Sequence, residues 1–365
     1  FAISSVPTGF KSLCTQNLTD PDIADGSDYF DVDVYAGTGQ ALERSNFSFE
    51  PDFLWFKRRS TDRQNTLIDR LRGETKRLFS DSNESEATAS NVLTSFDTDG
   101  FTLGTQGDVN AQNETYVAWA WDAGSTTDTN NTAGSITPTG VLANPSAGFS
   151  IVSYTGTGSN ATVGHGLNAA PEMVLYKSRG DGNDWMVYHV AMGATKSMLL
   201  NDHAGETARG DTFNNTAPTS SVLHIGSSAT TNGTNTTGMI AYCFAPVEAF
   251  SSFGRVEGNG SANGPFIYTG FKPAFVMIKA LYGYTAGSDI VANTSWIIHD
   301  NARSPFNANG AILAADRNND EEDNNSDIDF LSNGFKIRNT RSINTTNDAI
   351  YVAFAEHPFK YSRAA

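Results

Sequence analysis

The sequence predicts an all-β protein made of tandem β-sandwich modules of jelly-roll type, present as three divergent copies. Three observations lead to this prediction: a succession of motifs that recurs three times, short alternating segments with few helical windows, and a composition rich in Gly, Ser, Thr and Asn. Charged residues make up only 18% of the chain. This composition suits turns and exposed sheet faces better than helices, whose solvent faces favour Glu, Lys and Ala.

Each copy begins with a glycine-containing turn, continues into a strand led by proline, and ends on an alternating strand. The opening turns are Tyr35-Ala-Gly-Thr-Gly, Tyr154-Thr-Gly-Thr-Gly and Glu257-Gly-Asn-Gly-Ser. The proline-led strands are Pro51-Asp-Phe-Leu-Trp-Phe-Lys, Pro171-Glu-Met-Val-Leu-Tyr-Lys and Pro273-Ala-Phe-Val-Met-Ile-Lys. The closing strands are Tyr116-Val-Ala-Trp-Ala-Trp, Met239-Ile-Ala-Tyr-Cys-Phe and Tyr351-Val-Ala-Phe-Ala-Glu. A repeat of roughly 100 residues is of domain size, so we expect each module to have its own core.

These motifs set the expected domain boundaries. The expected segments are 1–34 (the end of an upstream domain and a connector), 35–124 (module one), 125–147 (a linker), 148–247 (module two) and 248–365 (module three). The linker is predicted to be flexible because its run of Gly, Ser, Thr, Asp and Asn has no apolar periodicity. The join at 246–253 is short, so modules two and three are expected to pack directly.

One segment, Thr66–Gly73, has apolar residues at helical spacing and stops at glycine. Its counterparts, Trp185-Met-Val-Tyr-His and Trp296-Ile-Ile-His-Asp, read as strands, so the first copy is predicted to be a strand as well. His189 and His299 are taken to occupy matching positions in these strands, with Asp69 in module one. No shared third ligand accompanies them, so a recurring structural residue is favoured over a metal ligand or catalytic group.

Charge and motifs exclude several function classes. The net charge of −16 argues against a nucleic-acid partner, because phosphate binding needs clustered Lys and Arg. No stretch approaches 18 apolar residues, so no membrane insertion is predicted. The chain has no Gly-x-Ser-x-Gly elbow, His-Glu-x-x-His motif, phosphate-binding loop or zinc-type cysteine pair. We therefore predict a non-enzymatic protein without a cofactor.

An acidic segment near the end of the chain has one feature of a calcium-binding loop. Asp316, Asn318, Asp320 and Asp327 are spaced like the oxygen ligands of such a loop. Glu321, however, occupies the position where the sharp turn of that loop calls for glycine, and no helices are predicted on either side. A solvated acidic loop is the favoured interpretation, and a surface calcium ion held by these four residues is the alternative.

Two tyrosines are candidates for binding a glycan, although an ordinary hairpin tip is the favoured interpretation of the segment that contains them. Tyr282 and Tyr284 lie in the segment Leu281-Tyr-Gly-Tyr-Thr-Ala-Gly, a glycine-containing insertion that only module three has. Sugars stack on exposed aromatic rings, and nearby Asn and Asp side chains can accept hydrogen bonds from their hydroxyls. The five tryptophans, in contrast, sit mainly at repeated strand positions where core packing explains them.

The chain resembles the repeated β-domain region of virion structural and tail-fibre-like proteins of tailed bacteriophages, marine ones in particular. The motifs that carry the resemblance are Pro7-Thr-Gly-Phe-Lys-Ser-Leu-Cys-Thr-Gln-Asn-Leu, Asp25-Gly-Ser-Asp-Tyr-Phe-Asp, Arg72-Gly-Glu-Thr-Lys-Arg-Leu, Phe96-Asp-Thr-Asp-Gly-Phe-Thr-Leu-Gly and Tyr351-Val-Ala-Phe-Ala-Glu-His-Pro-Phe. In similar proteins the first motif follows a SPRY-type β-sandwich, which would make residues 1–10 the end of such a domain. The resemblance covers nearly all of the chain and carries over no catalytic residue.

This resemblance implies a virion, extracellular setting and favours a tail-fibre or host-recognition segment. The expected partners are other virion proteins, a host cell-surface glycan or protein, and further copies of the chain, with a homotrimer favoured. Three alternatives stay open at this point: a capsid decoration or other purely structural virion protein, a polysaccharide depolymerase tailspike, and a cellular surface filament or adhesin.

Overall fold

A computed structural model describes residues 14–234, 237–282, 294–345 and 348–362. Its regular elements are antiparallel strands, apart from one helical turn at Gly107–Asn110 and three short 3-10 segments. The all-β fold class predicted from the sequence is confirmed. Among the helices of the described residues, none has the length and apolar character needed to cross a bilayer.

Module one forms a large sheet and a small sheet. Its strands are β1 (Phe30–Ala36), β2 (Leu42–Arg44), β3 (Phe53–Arg58), β4 (Thr66–Asp69), β5 (Lys76–Phe79), β6 (Ala87–Thr88), β7 (Leu93–Asp97), β8 (Gly100–Leu103) and β9 (Thr115–Trp121). The six-stranded sheet has the order β1-β9-β3-β4-β5-β6, and the three-stranded sheet has the order β2-β8-β7. Leu54, Phe56 and Phe101 belong to a buried cluster that packs within this module.

Module two repeats this arrangement with extra strands at one edge. Its strands are β10 (Thr127–Asp128), β11 (Gly140–Asn144), β12 (Phe149–Thr155), β13 (Ala161–Gly164), β14 (Met173–Ser178), β15 (Met186–His189), β16 (Lys196–Leu199), β17 (Thr207–Ala208), β18 (Val222–Ile225) and β19 (Gly238–Phe244). The large sheet has the order β10-β11-β12-β19-β14-β15-β16-β17, and β13 pairs with β18. Part of the expected linker 125–147 is therefore sheet, because Val141 and Leu142 of β11 are buried beside β12.

Module three joins its strands into one eight-stranded sheet. The strands are β20 (Ser251–Glu257), β21 (Phe266–Tyr268), β22 (Phe271–Ala280), β23 (Ile297–Asp300), β24 (Asn309–Ala314), β25 (Glu322–Leu331), β26 (Gly334–Ile337) and β27 (Asp348–Pro358). Their order is β20-β27-β22-β23-β24-β25-β26-β21. The segment with helical spacing in module one is strand β4, as predicted, and its counterparts are β15 and β23.

The three large sheets pack against one another around a common apolar core. Pairing places Trp121 opposite Phe53, Phe244 opposite Met173, and Phe354 opposite Phe275. Trp121, Phe244 and Phe354 therefore occupy equivalent positions in the three modules. Their ring centroids lie 6.2 Å (Trp121–Phe244), 5.7 Å (Trp121–Phe354) and 5.9 Å (Phe244–Phe354) apart. Such a triangle of equivalent side chains places the modules around an approximate threefold axis.

This shared core explains why the proline-led strands read as continuous apolar runs. Every described residue of β14 is buried, because one face of the strand packs inside module two and the other faces the common core. Modules one and two also have cores of their own, as expected from the sequence. The larger core common to all three modules was not expected.

The pairing also corrects the alignment of the third closing strand. The sequence comparison matched Tyr351 with Tyr116, whereas the register shows that Ala349 is the equivalent residue. A shift of two residues leaves every side chain on the same face of a strand, so the alternating pattern alone could not reveal the error.

Main-chain hydrogen bonds join each module to another and close the ring. They run from the N–H of Glu86 to the carbonyl of Arg179 (2.8 Å), from Glu206 to Leu281 (3.0 Å) and from Glu321 to Arg59 (2.9 Å). The donors come in order from modules one, two and three, and the acceptors from modules two, three and one. The joints are therefore head to tail, and the third one returns to the first module.

A lysine at the end of each proline-led strand reinforces these joints. Lys57, Lys177 and Lys279 are fully buried. Their Nζ atoms donate to carbonyls of a neighbouring module, at Arg317 (3.4 Å), Asn83 (3.3 Å) and Asp202 (2.9 Å). Burial lowers the pKa of each ammonium to about 8.

A buried asparagine holds the glycine turn of each module. The Oδ1 atoms of Asn110, Asn232 and Asn344 accept the backbone N–H of the second residue after the strand, at Thr38 (2.8 Å), Thr157 (2.7 Å) and Asn259 (2.9 Å). Each Nδ2 group donates to one main-chain carbonyl just after the turn and to another in the segment that precedes the asparagine. The three turns therefore share one scaffold and differ little in chemistry.

Candidate recognition site at the joint between modules two and three

Tyr282 lies on the surface at the joint between modules two and three. It follows the last residues of β22, where the Leu281 carbonyl accepts the Glu206 N–H of module two and the Leu281 N–H donates to the Asp348 carbonyl (2.8 Å). The Tyr282 side chain is 45% exposed. Main-chain hydrogen bonds therefore hold the backbone of Leu281, the residue just before the exposed ring.

The polar partner of this ring is a carboxylate from the other module. The Tyr282 hydroxyl hydrogen-bonds to Glu206, which raises the pKa of the phenol. Glu206 Oε1 also accepts from Lys196 Nζ at 2.6 Å, and this hydrogen bond raises the pKa of Lys196. A neighbouring exposed pair, Arg255 and Asp348, adds charges of both signs, with Nε and Oδ2 2.9 Å apart. The site thus presents an aromatic face beside alternating donors and acceptors.

The other two joints carry a bidentate arginine in place of this tyrosine site. Arg179 donates to both oxygens of Glu86, at 2.8 and 3.0 Å. Arg59 does the same to Glu321, at 2.9 and 2.7 Å. Burial opposes the ionisation of Glu86, but the hydrogen bonds and charges of Arg179 and Arg72 outweigh it and hold the pKa of Glu86 below its ordinary value.

The third joint has Leu281 where the others have arginine, and Tyr282 where they have Ser60 and Gly180. A fold that closes two joints with Arg and Glu does not require an exposed tyrosine at the third. This internal comparison singles out the Tyr282 joint as the one whose surface departs from the shared scaffold. Tyr284, the second predicted glycan-contacting residue, lies outside the described residues.

The four residues of the predicted calcium loop have separate partners. The Asp316 carboxylate accepts the Trp296 N–H at 2.9 Å, and the Asn318 carbonyl accepts the Arg63 N–H at 2.7 Å. The Asp320 N–H donates to a carboxylate of module one. Asp327 is buried, with its Oδ2 3.2 Å from His299 Nε2. In the described part of the chain, no group of three His, Cys, Asp or Glu side chains could hold a metal ion.

The two matched histidines do not occupy equivalent positions. His189 lies opposite Met173, and the equivalents of that pair are Asp69 with Phe53 and Asp300 with Phe275. His299 is therefore one residue out of register. A shift of one residue places a side chain on the opposite face of a strand. His189 therefore faces the Tyr351 carbonyl of module three, while His299 faces Asp327 within its own module.

At this equivalent position, modules one and three use a buried ion pair. Asp69 binds Arg72 through Nε (2.5 Å), and Asp300 binds Arg303 in the same way (2.6 Å). Each carboxylate also accepts a donor from a neighbouring module, the Tyr242 hydroxyl (2.6 Å) or the Trp119 indole N–H (3.0 Å).

Module two replaces the ion pair with His189 and Met192. The side chain that would face His189 from module three is Val352, which has no donor. A histidine suits that position because its Nε2 can donate to the Tyr351 carbonyl, at 3.1 Å, while Nδ1 accepts the Ala191 N–H. Because module two has no carboxylate at this position, it needs no arginine to neutralise one, and Met192 takes that place.

His189 is expected to make the protein less stable in acid. Burial lowers the pKa of His189 to about 4, against 6.5 for the ordinary side chain. Between these values the unfolded chain takes up a proton that the folded chain excludes, so stability is unaffected above about pH 6.5 and falls towards pH 4 by up to about 3 kcal/mol. Urea unfolding of the chain and of His189→Gln at pH 7 and pH 4.5 measures this, and the advantage of histidine should shrink at the lower pH. An equal difference at both pH values would contradict the prediction.

Sequence reasoning missed Glu86, Glu206 and Glu321, the residues that mark the three joints. A signal for them was present, because each lies five residues after the Asp or Asn that caps the neighbouring strand: Asp81, Asn201 and Asp316. The buried lysines were visible too, as the last residue of each proline-led run. Their role depends on contacts between modules, which no pattern within one module displays.

A sequence model of the family described as "Domain of unknown function (DUF7483)" matches residues 25–358. No curated protein and no solved structure matches the chain.

Proposed function

We propose that this chain, which belongs to the DUF7483 family, a domain of unknown function, is a non-enzymatic structural segment of a phage virion, of tail-fibre or host-recognition type. In this proposal, the ring of three modules is a rigid support in an extracellular setting. The Tyr282 joint is the surface that contacts a host glycan. The observation that carries the proposal is the contrast between two joints closed by Arg–Glu pairs and one joint that exposes an aromatic ring.

Two further points favour a structural role over a catalytic one. The histidines at the predicted strand positions are buried in contacts that hold strands and modules together. The resemblance to the repeated β-domains of tailed-phage structural proteins covers nearly the whole chain. A rigid support suits adhesion because weak contacts gain avidity when a fixed geometry presents several of them together.

The ring also affects the expected assembly. The three head-to-tail joints are satisfied within one chain, so they leave no open surface of that kind for another copy. We propose that other virion proteins hold the chain through different surfaces, and that a homotrimer, if it forms, does not use these joints.

The test is adsorption of the fluorescently labelled chain to bacterial strains that adsorb the parent virion, before and after periodate treatment of their surface glycans. We expect saturable binding that periodate removes. Tyr282→Ala should abolish most of it, and Tyr282→Phe should retain part of it because the ring face remains. Phe306→Ala, which alters an 82% exposed aromatic elsewhere, is the matched control and should bind like the unaltered chain.

Three results would overturn parts of the proposal. Absence of saturable binding to every such strain would favour a purely structural virion protein, such as a capsid decoration. Release of reducing sugar from envelope polysaccharide would favour a depolymerase tailspike. Failure of antibodies against the chain to label purified virions would remove the virion setting and favour a cellular filament or adhesin.

A further inference from the structure

A cleft separate from the Tyr282 joint opens beside the chain segment that enters module one. Its volume is about 580 Å³, which lies within the range of roughly 300–1,000 Å³ found for small-molecule sites. Its walls come from four segments: 18–22, 246–252, 268–270 and 358–360. The incoming chain, the join between modules two and three, the end of β21 and the end of β27 therefore meet there.

One wall of the cleft is an exposed tyrosine that the fold does not use. Tyr268 ends β21 and is 62% exposed. Within the described residues its hydroxyl has no hydrogen-bond partner and its ring stacks on no other ring. Pairing places Tyr268 opposite Gly334, and the equivalent positions in the other modules are Ser45 and Gly164. Since neither of the other modules has an aromatic residue here, the sandwich does not require one.

Other lining residues of the cleft supply acceptors. Asp22 and Glu248 line the cleft, and neither forms a hydrogen bond or ion pair with another described residue. The cation at the rim, Lys360, is engaged by Asp20. Apolar surface is present as well, from Pro21, Val247 and Phe359. An aromatic face, two carboxylates with unused acceptor capacity and no unengaged cation among the lining residues make a negatively charged, amphipathic site.

We propose that this cleft binds a neutral saccharide. The electron-rich face of Tyr268 attracts the weakly positive C–H groups on one face of a pyranose ring. Asp22 and Glu248 accept hydrogen bonds from hydroxyls on its edge. The same carboxylates repel uronic or sialic acids, because these sugars carry a like charge.

The site and the proposed function can fail separately. Loss of cell binding with saccharide binding intact would count against host recognition alone. Cell binding without saccharide binding in this cleft would count against this site alone. The Tyr282→Ala variant distinguishes the two, since Tyr282 does not line the cleft. It should lose cell binding and keep saccharide binding in the cleft.

Saturation-transfer NMR and calorimetry on the full chain test the proposal. The probes are tetrasaccharides prepared from dextran, mannan and galactan, with an alginate tetrasaccharide as the acidic comparison. We expect at least one neutral probe to bind, with the alginate probe bound roughly tenfold more weakly or not at all. Tyr268→Ala should weaken binding by roughly tenfold and Tyr268→Phe by much less. Glu248→Gln should reduce the discrimination against alginate.

Because Tyr268 is exposed, Tyr268→Ala should leave the thermal unfolding midpoint unchanged, which separates a loss of binding from a loss of folding. The proposal is overturned if none of the neutral tetrasaccharides binds. Equal binding by Tyr268→Ala would overturn it too, as would alginate binding as tight as that of the neutral probes.

Discussion

Replacement of Trp121 by alanine is expected to lower the free energy of unfolding by about 3–5 kcal/mol. Trp121 is 3% exposed and contacts both Phe244 and Phe354, so its removal leaves a cavity where all three modules meet. The surrounding sheets cannot close this cavity easily, because each one is held by hydrogen bonds to its neighbours. Urea unfolding followed by circular dichroism measures the change.

The location of the effect matters as much as its size. Hydrogen exchange should show reduced protection in β19 and β27 as well as in β9, because the closing strands share one core. Loss of protection confined to β9 would show that the modules are energetically independent. The matched control is Trp121→Phe. It makes the triangle uniform and removes an indole N–H that has no acceptor among the described residues, so we expect a change within about 1 kcal/mol of zero.

Replacement of Arg72 by methionine is the second large expected effect, also about 3–5 kcal/mol. The Arg72 and Asp69 side chains are both completely buried, so the substitution leaves a carboxylate in the interior without its cation. The Tyr242 hydroxyl and the backbone N–H of residue 72 would remain as neutral donors to Asp69, which is not enough to stabilise a full charge. Guanidinium unfolding of the variant measures the loss.

A double substitution separates charge from packing. Asp69→Asn combined with Arg72→Met removes both charges and keeps a group that can accept from Tyr242, so it should recover a large part of the lost stability. Arg255→Met is the matched control. It breaks an exposed Arg–Asp pair, and its effect should stay below about 1 kcal/mol. A double variant no more stable than Arg72→Met would show that lost packing, and not the stranded charge, dominates.

Module two already contains a neutral solution at this position. His189 and Met192 stand where modules one and three have Asp with Arg, and both are buried. The residue type at this position follows from the closing strand of the neighbouring module. That strand has a hydrogen-bond donor, Tyr242 or Trp119, facing each carboxylate, and Val352 facing the histidine. The chain therefore uses two arrangements at this position, the Asp–Arg pair in modules one and three and the His–Met pair in module two, and a residue of another module decides between them.

The sequence by itself determined the strands and the threefold repetition. Alternation, proline and glycine positions and polar composition are local properties, and they predicted β4, β15 and β23 although one of these segments has helical spacing. Alternation repeats every two residues, however, so it could neither place Ala349 opposite its true equivalents nor separate His189 from His299 by a single residue.

Only the tertiary structure decided how the three modules pack and which exposed aromatic residues the packing does not use. The ring arises from contacts between modules: the triangle of Trp121, Phe244 and Phe354, the buried lysines and the three joint glutamates. Such contacts depend on residues far apart in the chain, and no periodic pattern encodes them. Tyr282 was singled out by its sequence context, whereas Tyr268 was not. An unused aromatic residue differs from a core one only in exposure, which the packing of the whole chain sets.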